Sequence, residues 1–108
     1  MTERRRVLII YTGGTIGMMA DPRSGALRPM DLEHLEEHVP ELERIAVQLD
    51  AVSFEQPIDS SDMKPADWIR IAQLIREHYV DHDGFVVLHG SDTMAYTASA
   101  LSFLLEGL

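Results

Sequence analysis

The chain has 108 residues, the size of one small domain, and its composition of 45% hydrophobic and 25% charged residues is typical of a globular protein. Its formal net charge of −9 excludes the broad basic surface that binds nucleic acid or an anionic membrane. The lack of cysteine excludes disulfides, a thiolate nucleophile and Cys-ligated zinc, and fits a reducing compartment. Because the sequence has neither a signal-peptide pattern nor an apolar run of transmembrane length, we expect a cytoplasmic protein.

The first segment that could carry chemistry is rich in glycine and threonine. The apolar run Val7–Ile10 predicts a buried strand, and Thr12-Gly-Gly-Thr-Ile-Gly17, here called the glycine loop, follows it closely. Glycines allow a tight turn and close approach of the backbone to a ligand, and ligands bind at this edge of open α/β sheets. Thr12 and Thr15 are therefore candidate nucleophiles. A phosphate cradle or a plain turn also fits, although a full dinucleotide motif would need glycine at position 12.

Two segments precede the next strand. Residues 18–30 carry the turn residues Asp21-Pro22, Ser24-Gly25 and Pro29, which predict a long irregular loop of the kind that forms a lid. Residues 31–40 predict a short helix that contains His34-Leu-Glu-Glu-His38, the residue order of one class of zinc peptidases. Because Pro40 ends this helix and that pattern needs a longer helix and a third ligand, we expect a solvated helix face and no metal site.

The rest of the chain alternates strands and helices. Strands are predicted over 45–54 and 85–88, a helix begins at Pro65, and another helix follows the last strand. The inner face of the first helix is predicted to carry Trp68, Ile71, Ala72, Ile75 and Tyr79. The inner face of the second is predicted to carry Met94, Thr97, Ala98, Leu101, Leu104 and Leu105, with Gly107 as its stop. This alternation predicts βαβ units and a parallel sheet.

Polar segments follow the two later strands as well. The second loop is Asp59-Ser-Ser-Asp-Met63, and the third loop is His89-Gly-Ser-Asp-Thr93. Because the carboxyl ends of parallel strands lie at one edge of a sheet, we expect both to converge on the glycine loop. Serine and aspartate also cap helices, so either role fits these residues alone. Asp92, near a predicted helix N-terminus, is suited to hold a ligand ammonium.

Taken together, the three loops resemble those of the bacterial L-asparaginases, most closely the cytoplasmic type I group. The segments that carry the resemblance are Thr12–Gly17, Asp59–Met63 and His89–Met94. The resemblance implies an α/β fold with a three-layer, open, mostly parallel sheet of the Rossmann or flavodoxin-like kind. It also implies that residues 1–108 are the first part of a larger, here incomplete, N-terminal domain, with the C-terminal domain absent.

The resemblance further implies hydrolysis of L-asparagine to L-aspartate and ammonia, with Thr15 as nucleophile and a β-aspartyl ester as intermediate. Ser60 then binds the substrate α-carboxylate and Asp92 its α-ammonium, and Gly14 and Ser61 complete the substrate-binding set. Ser91 and Asp92 correspond to two members of a second catalytic group that also contains a lysine. No cofactor is implied. The full-length protein is expected to form a homodimer or homotetramer.

Three departures from the family pattern affect these expectations. Ser91 stands where the family usually has threonine, and Ser24-Gly-Ala-Leu27 stands where many relatives offer a tyrosine near the nucleophile. The lysine of the second catalytic group would lie beyond Leu108, so we expect the 108-residue piece alone to have little or no activity. A nucleotide-binding module and an amino-acid-binding domain without turnover remain the alternatives. An amidotransferase subunit is disfavoured by the short segment before the first strand.

Overall fold

The structure is a computed structural model that describes residues 5–13, 18–20, 22–29, 44 and 46–107, with 18–20 and 27–29 described by their backbone alone. Its elements in chain order are β1 (Arg5–Tyr11), β2 (Met18–Ala20), β3 (Leu27–Pro29), β4 (Val47–Ser53), a short 3-10 helix (Ser60–Asp62), α1 (Pro65–His78), β5 (Gly84–Leu88) and α2 (Met94–Leu104). The predicted helix over 31–40, with the pattern His34 to His38, lies outside the described residues. No helix among the described residues is long and apolar enough to span a membrane.

The main sheet has three strands in the order β4-β1-β5, and both outer strands run parallel to β1. This confirms the predicted α/β fold with a parallel sheet. The strands also end level with one another, because Tyr11 at the end of β1 is in register with Ser53 of β4 and Leu88 of β5. The segments that follow the three strands therefore all leave the sheet at one edge.

The core lies between one face of the sheet and α1. Leu8 and Ile10 of β1 pack with three residues of α1, all buried: Ile71, Leu74 and Ile75. Leu101 of α2 packs against the same cluster, so both described helices lie on one side of the sheet. On the opposite side, Ile9 and Tyr11 are also buried. The third layer that the resemblance implies lies outside the described residues.

The segment over residues 18–30 differs from the irregular loop predicted for it. β2 and β3 form a two-stranded antiparallel ribbon in which Met18 is in register with Pro29 and Ala20 with Leu27. Of the predicted turn residues, Pro22, Ser24 and Gly25 lie in the connection of this hairpin, with Gly25 at a φ of +72°, whereas Pro29 lies in β3. Strands of three residues are too short for an alternating apolar pattern, so the sequence did not reveal them.

The ends of the two helical faces also differ from the prediction. Tyr79 follows the last residue of α1, is 46% exposed and stacks on the Phe85 ring instead of entering the core. On α2, Thr97 is buried and Leu101 packs against the core, whereas Met94 and Leu104 are exposed. Among the α2 residues of the predicted inner face, Leu101 is thus the apolar side chain that packs against the core cluster.

Candidate functional site

The glycine loop begins on a fully buried threonine. The backbone N–H and the hydroxyl of Thr12 both donate to the carbonyl of Leu88, at 3.1 and 2.9 Å. The carbonyl of Thr12 in turn accepts from the N–H of Ile58, at 2.7 Å. Thr12 therefore ties the end of β1 to the last residue of β5 and to the segment after β4, and its hydroxyl is already engaged and shielded from solvent.

The second loop is a single 3-10 turn capped by its own carboxylate. Asp59 accepts hydrogen bonds from the backbone N–H and the hydroxyl of Ser61, at 3.0 and 2.9 Å. These two bonds lower the pKa of Asp59, so its carboxylate remains ionised. Ser60 is buried, whereas Ser61 is exposed. The turn thus presents two adjacent serines in different environments.

The third loop holds Ser60 from two sides. A Cβ built at Gly90 would lie 2.7 Å from Ser60 Oγ and 2.9 Å from Ser60 Cβ, so only glycine allows this approach. On the other side, the hydroxyl of Thr93 donates to the Ser60 carbonyl at 2.7 Å. We call this arrangement the Ser60 clasp. It brings the second and third loops into direct contact, as the parallel topology predicted.

The Ser60 clasp alters the start of α2. Thr93 occupies the N-cap position of this helix, where a threonine side chain normally accepts from a backbone N–H of the first turn. Here its side chain makes no such bond and donates to Ser60 instead. Ser91 and Asp92, both exposed, precede it.

A buried polar chain that the sequence did not reveal lies behind the third loop. The indole N–H of Trp68 donates to Thr97 Oγ1 at 2.8 Å, and Thr97 Oγ1 lies 2.8 Å from His89 Nε2. His89 Nδ1 is in turn hydrogen-bonded to the carbonyl of Gly90. The sequence placed Trp68 and Thr97 only on apolar helix faces; polar groups within those faces were the signal that could have identified them.

The tyrosine at the end of β1 is not suited to act as a base. Tyr11 is 1% exposed, and burial raises the pKa of its phenol above the usual value. The phenol therefore remains protonated at neutral pH.

The structure brings the second loop, which carries Ser60 and Ser61, against the third loop, which carries Ser91 and Asp92. Gly14 and Thr15 lie outside the described residues, so their predicted roles rest on the sequence. Their neighbour Gly13 is described, and it contacts the backbone of Ile58 just before the second loop. Within the ranges that the structure describes, no group of three or more acidic, histidine or cysteine side chains could hold a metal ion.

Comparison with known proteins identifies the family. Residues 6–108 match the family model described as "Asparaginase, N-terminal". The chain is 47% identical to L-asparaginase 1 of Escherichia coli K12 over 98% of its own length and 32% of that protein. It is 44% identical to the 60 kDa lysophospholipase of Homo sapiens, over 96% of its own length and 22% of that protein. The chain thus spans a third or less of the relatives it matches.

A solved structure supports the same assignment. The crystal structure of L-asparaginase I from Vibrio cholerae superposes with a TM-score of 0.78 at 45% sequence identity. The match covers 94% of this chain and 30% of that one. Because the family model matches residues 6–108, which is nearly the whole chain, the chain belongs to the asparaginase family.

Proposed function

We propose that the gene product carrying this chain hydrolyses the side-chain amide of L-asparagine to L-aspartate and ammonia. The observation that carries the proposal is the Ser60 clasp, in which the loop assigned to the substrate carboxylate contacts the loop assigned to its ammonium. The similar proteins from E. coli and V. cholerae are both named L-asparaginases. We further propose that residues 1–108 form the first part of the enzyme's N-terminal domain.

Thr15 is the proposed nucleophile. The glycine loop contains two threonines, and the hydroxyl of Thr12 is buried and donates to Leu88, which supports Thr15 as the hydroxyl used for attack. In the first step Thr15 Oγ bonds to the amide carbon, the C–N bond breaks, and ammonia leaves with the hydroxyl proton. Water then cleaves the β-aspartyl ester and restores the threonine. Ser91 and Asp92 belong to the second catalytic group.

Recognition of a zwitterionic amino acid is proposed to rest on groups of opposite preference at the two ends of the substrate. Ser60 and the backbone at Gly14 are proposed to receive the α-carboxylate, and Asp92 the α-ammonium. The hydroxyl hydrogen of Ser61 is already donated to Asp59, so its oxygen is left as an acceptor. An acceptor suits an ammonium, and we therefore place Ser61 on the ammonium side of the substrate. No cofactor takes part in the proposed reaction.

Substitution of the nucleophile in the full-length gene product tests the proposal. Thr15→Ala should abolish asparagine turnover while calorimetry still detects L-aspartate binding, and Thr15→Ser should retain measurable turnover because it keeps the hydroxyl. Turnover by Thr15→Ala would contradict the assignment. Two other results would favour the alternatives. Aspartate binding without turnover by the wild-type protein indicates a binding domain, and nucleotide binding unaffected by Asp92→Asn indicates a nucleotide module.

The cellular setting and assembly are also proposed from the resemblance. We place the enzyme in the cytoplasm, as a homodimer or homotetramer that binds neither nucleic acid nor membrane. Light scattering of the full-length gene product tests the assembly, and fractionation of the source cells tests the compartment. An isolated 108-residue piece should show little or no asparaginase activity, and turnover at the rate of the full-length enzyme would contradict this.

A further inference from the structure

A neutral imidazole at His89 satisfies every partner in the buried polar chain behind the third loop. The carbonyl of Gly90 can only accept, so His89 Nδ1 carries a hydrogen. The indole N–H of Trp68 can only donate, so Thr97 Oγ1 accepts from it. In a neutral imidazole with its hydrogen on Nδ1, the unprotonated Nε2 accepts the hydroxyl hydrogen of Thr97. We infer this neutral tautomer for His89 from the network.

This tautomer fixes the direction of one peptide group. The Gly90 carbonyl points to the His89 ring, and in a trans peptide the next N–H points the opposite way. The orientation of the Gly90–Ser91 peptide is therefore set by a side chain whose own position is held by α1 through Trp68 and by α2 through Thr97. Both His89 and Thr97 are buried, at 6% and 4% exposure, so water cannot easily replace these bonds.

The loop is thus anchored on both sides of its two exposed residues. His89 holds the Gly90 carbonyl before Ser91, and the hydroxyl of Thr93 holds the Ser60 carbonyl after Asp92. We propose that His89 is a positioning residue, which orients the Gly90–Ser91 peptide and so sets where Ser91 and Asp92 meet the substrate. This inference rests on the proposed function, because it assumes that Ser91 and Asp92 act on asparagine.

Two isosteric substitutions separate the roles of the two ring nitrogens of His89. The amide nitrogen of asparagine occupies the place of Nδ1, so His89→Asn keeps a donor for the Gly90 carbonyl and loses the link to Thr97. The amide of glutamine reaches the place of Nε2, so His89→Gln keeps the link to Thr97 and loses the donor to Gly90. Each variant retains one of the two bonds, and we expect similar losses of stability.

Activity should distinguish the two variants. In the full-length gene product, His89→Gln should lower kcat/KM for asparagine by about 100-fold, the scale of a misplacement near 1 Å, while His89→Asn should lie within about fivefold of wild type. Both kcat/KM values are measured on variants whose cooperative unfolding transition shows that the protein is folded. Ser102→Ala, which removes an exposed hydroxyl from α2 away from the site, is the matched control and should leave kcat/KM unchanged. Equal losses in both histidine variants would overturn the proposal.

A second measurement is independent of turnover. Nitrogen-15 NMR of labelled histidine should show His89 with a protonated Nδ1 and an unprotonated Nε2, and Thr97→Val should perturb this signal while Thr97→Ser preserves it. A hydrogen on Nε2 in the wild-type protein would overturn the inference even if the enzyme is active. Conversely, the full-length protein could show the predicted tautomer but no asparagine turnover. That result would reject the proposed function, while the hydrogen bond from His89 to the Gly90 carbonyl would still be supported.

Discussion

Gly13 and Ile58 meet backbone to backbone, with no room for a side chain between them. A Cβ built at Gly13 would lie 2.6 Å from the Ile58 nitrogen and 2.8 Å from its carbonyl carbon. The φ of Gly13 is also +144°, a conformation that residues with a side chain rarely adopt. The hydrogen bond from Ile58 N–H to the Thr12 carbonyl lies directly beside this contact. The position of the second loop relative to the glycine loop therefore depends on the absence of a side chain at Gly13.

Gly13→Ala should consequently be among the most damaging single substitutions in the chain. The obstacle is backbone, which cannot rotate away as a side chain can, so we expect a loss of about 3 kcal/mol or more in the free energy of unfolding. Gly25→Ala is the matched control, since Gly25 also has a positive φ but has nothing within 4 Å of the place that a Cβ would occupy. That variant should lose only about 1–2 kcal/mol, the cost of the backbone conformation itself. Urea denaturation of both variants measures the difference, and equal losses would contradict the steric explanation.

The Ser60 clasp makes a prediction about coupling. Gly90→Ala places a methyl group against Ser60, which must move, and we expect a destabilisation of about 1–3 kcal/mol together with a higher KM. Ser60→Gly removes both atoms that the new methyl would meet. In the double variant the destabilisation should therefore be at least about 1 kcal/mol smaller than the sum of the two single changes. Unfolding free energies of the four proteins complete the cycle, and simple additivity would show that the two loops do not depend on this contact.

Asp92 should control the preference for an amino acid over a simple amide. If its carboxylate binds the substrate α-ammonium, Asp92→Asn should lower kcat/KM for asparagine by about 100-fold or more. Turnover of succinamic acid, which has the same amide and carboxylate but lacks the ammonium, should fall less, because that substrate loses only the contribution that Asp92 makes through the second catalytic group. Asp62→Asn, an exposed carboxylate in the neighbouring second loop, serves as the control and should leave the selectivity unchanged. Equal losses for the two substrates would instead assign Asp92 a role in the chemical step alone.

The sequence predicted those features that depend on local pattern and topology. The run Val7–Ile10 indicated a buried strand, Pro65 indicated a helix start, and alternation of strands with helices predicted the parallel sheet that brings the loops to one edge. It did not predict the ribbon formed by β2 and β3, because strands of three residues carry no clear periodicity. The roles of Thr15 and Gly14 remain predictions from the sequence.

Contacts between residues distant in the chain were beyond the reach of sequence patterns. Nothing in the local sequence indicates that the hydroxyl of Thr93 donates to the Ser60 carbonyl instead of capping α2, or that the indole N–H of Trp68 donates to Thr97. Each of these pairs joins two elements about 30 residues apart, and their bonds become evident only when the helices are placed on the sheet. Position 90 illustrates the same limit of sequence patterns. It requires glycine because Ser60 occupies the place of a side chain, and not because of its own backbone conformation.

Asp50 should make stability depend on pH at the acidic end of the range. Burial alone would raise the pKa of this carboxyl, but hydrogen bonds from His82, Arg6 and Gln48 outweigh that effect and lower it. A carboxyl with a lowered pKa in the folded state contributes stability above its unfolded pKa of about 3.9, and this contribution is lost as the pH falls through the folded value. We expect about 1 kcal/mol, since the Asp50 side chain is 30% exposed and partly screened.

Asp50→Asn removes the titrating group and tests this directly. The variant should be less stable than wild type at pH 6, and the difference in unfolding free energy should shrink as the pH is lowered from 5 towards 2. Asp81→Asn, which changes an exposed carboxyl in the turn after α1, should show no such convergence. Because Asp50 lies within β4 and not in any of the three loops, kcat/KM at neutral pH should be unchanged in the folded variant. A stability difference between Asp50→Asn and wild type that stays constant across the whole pH range would show that the bonds from His82 and Arg6 do not favour the charged carboxylate.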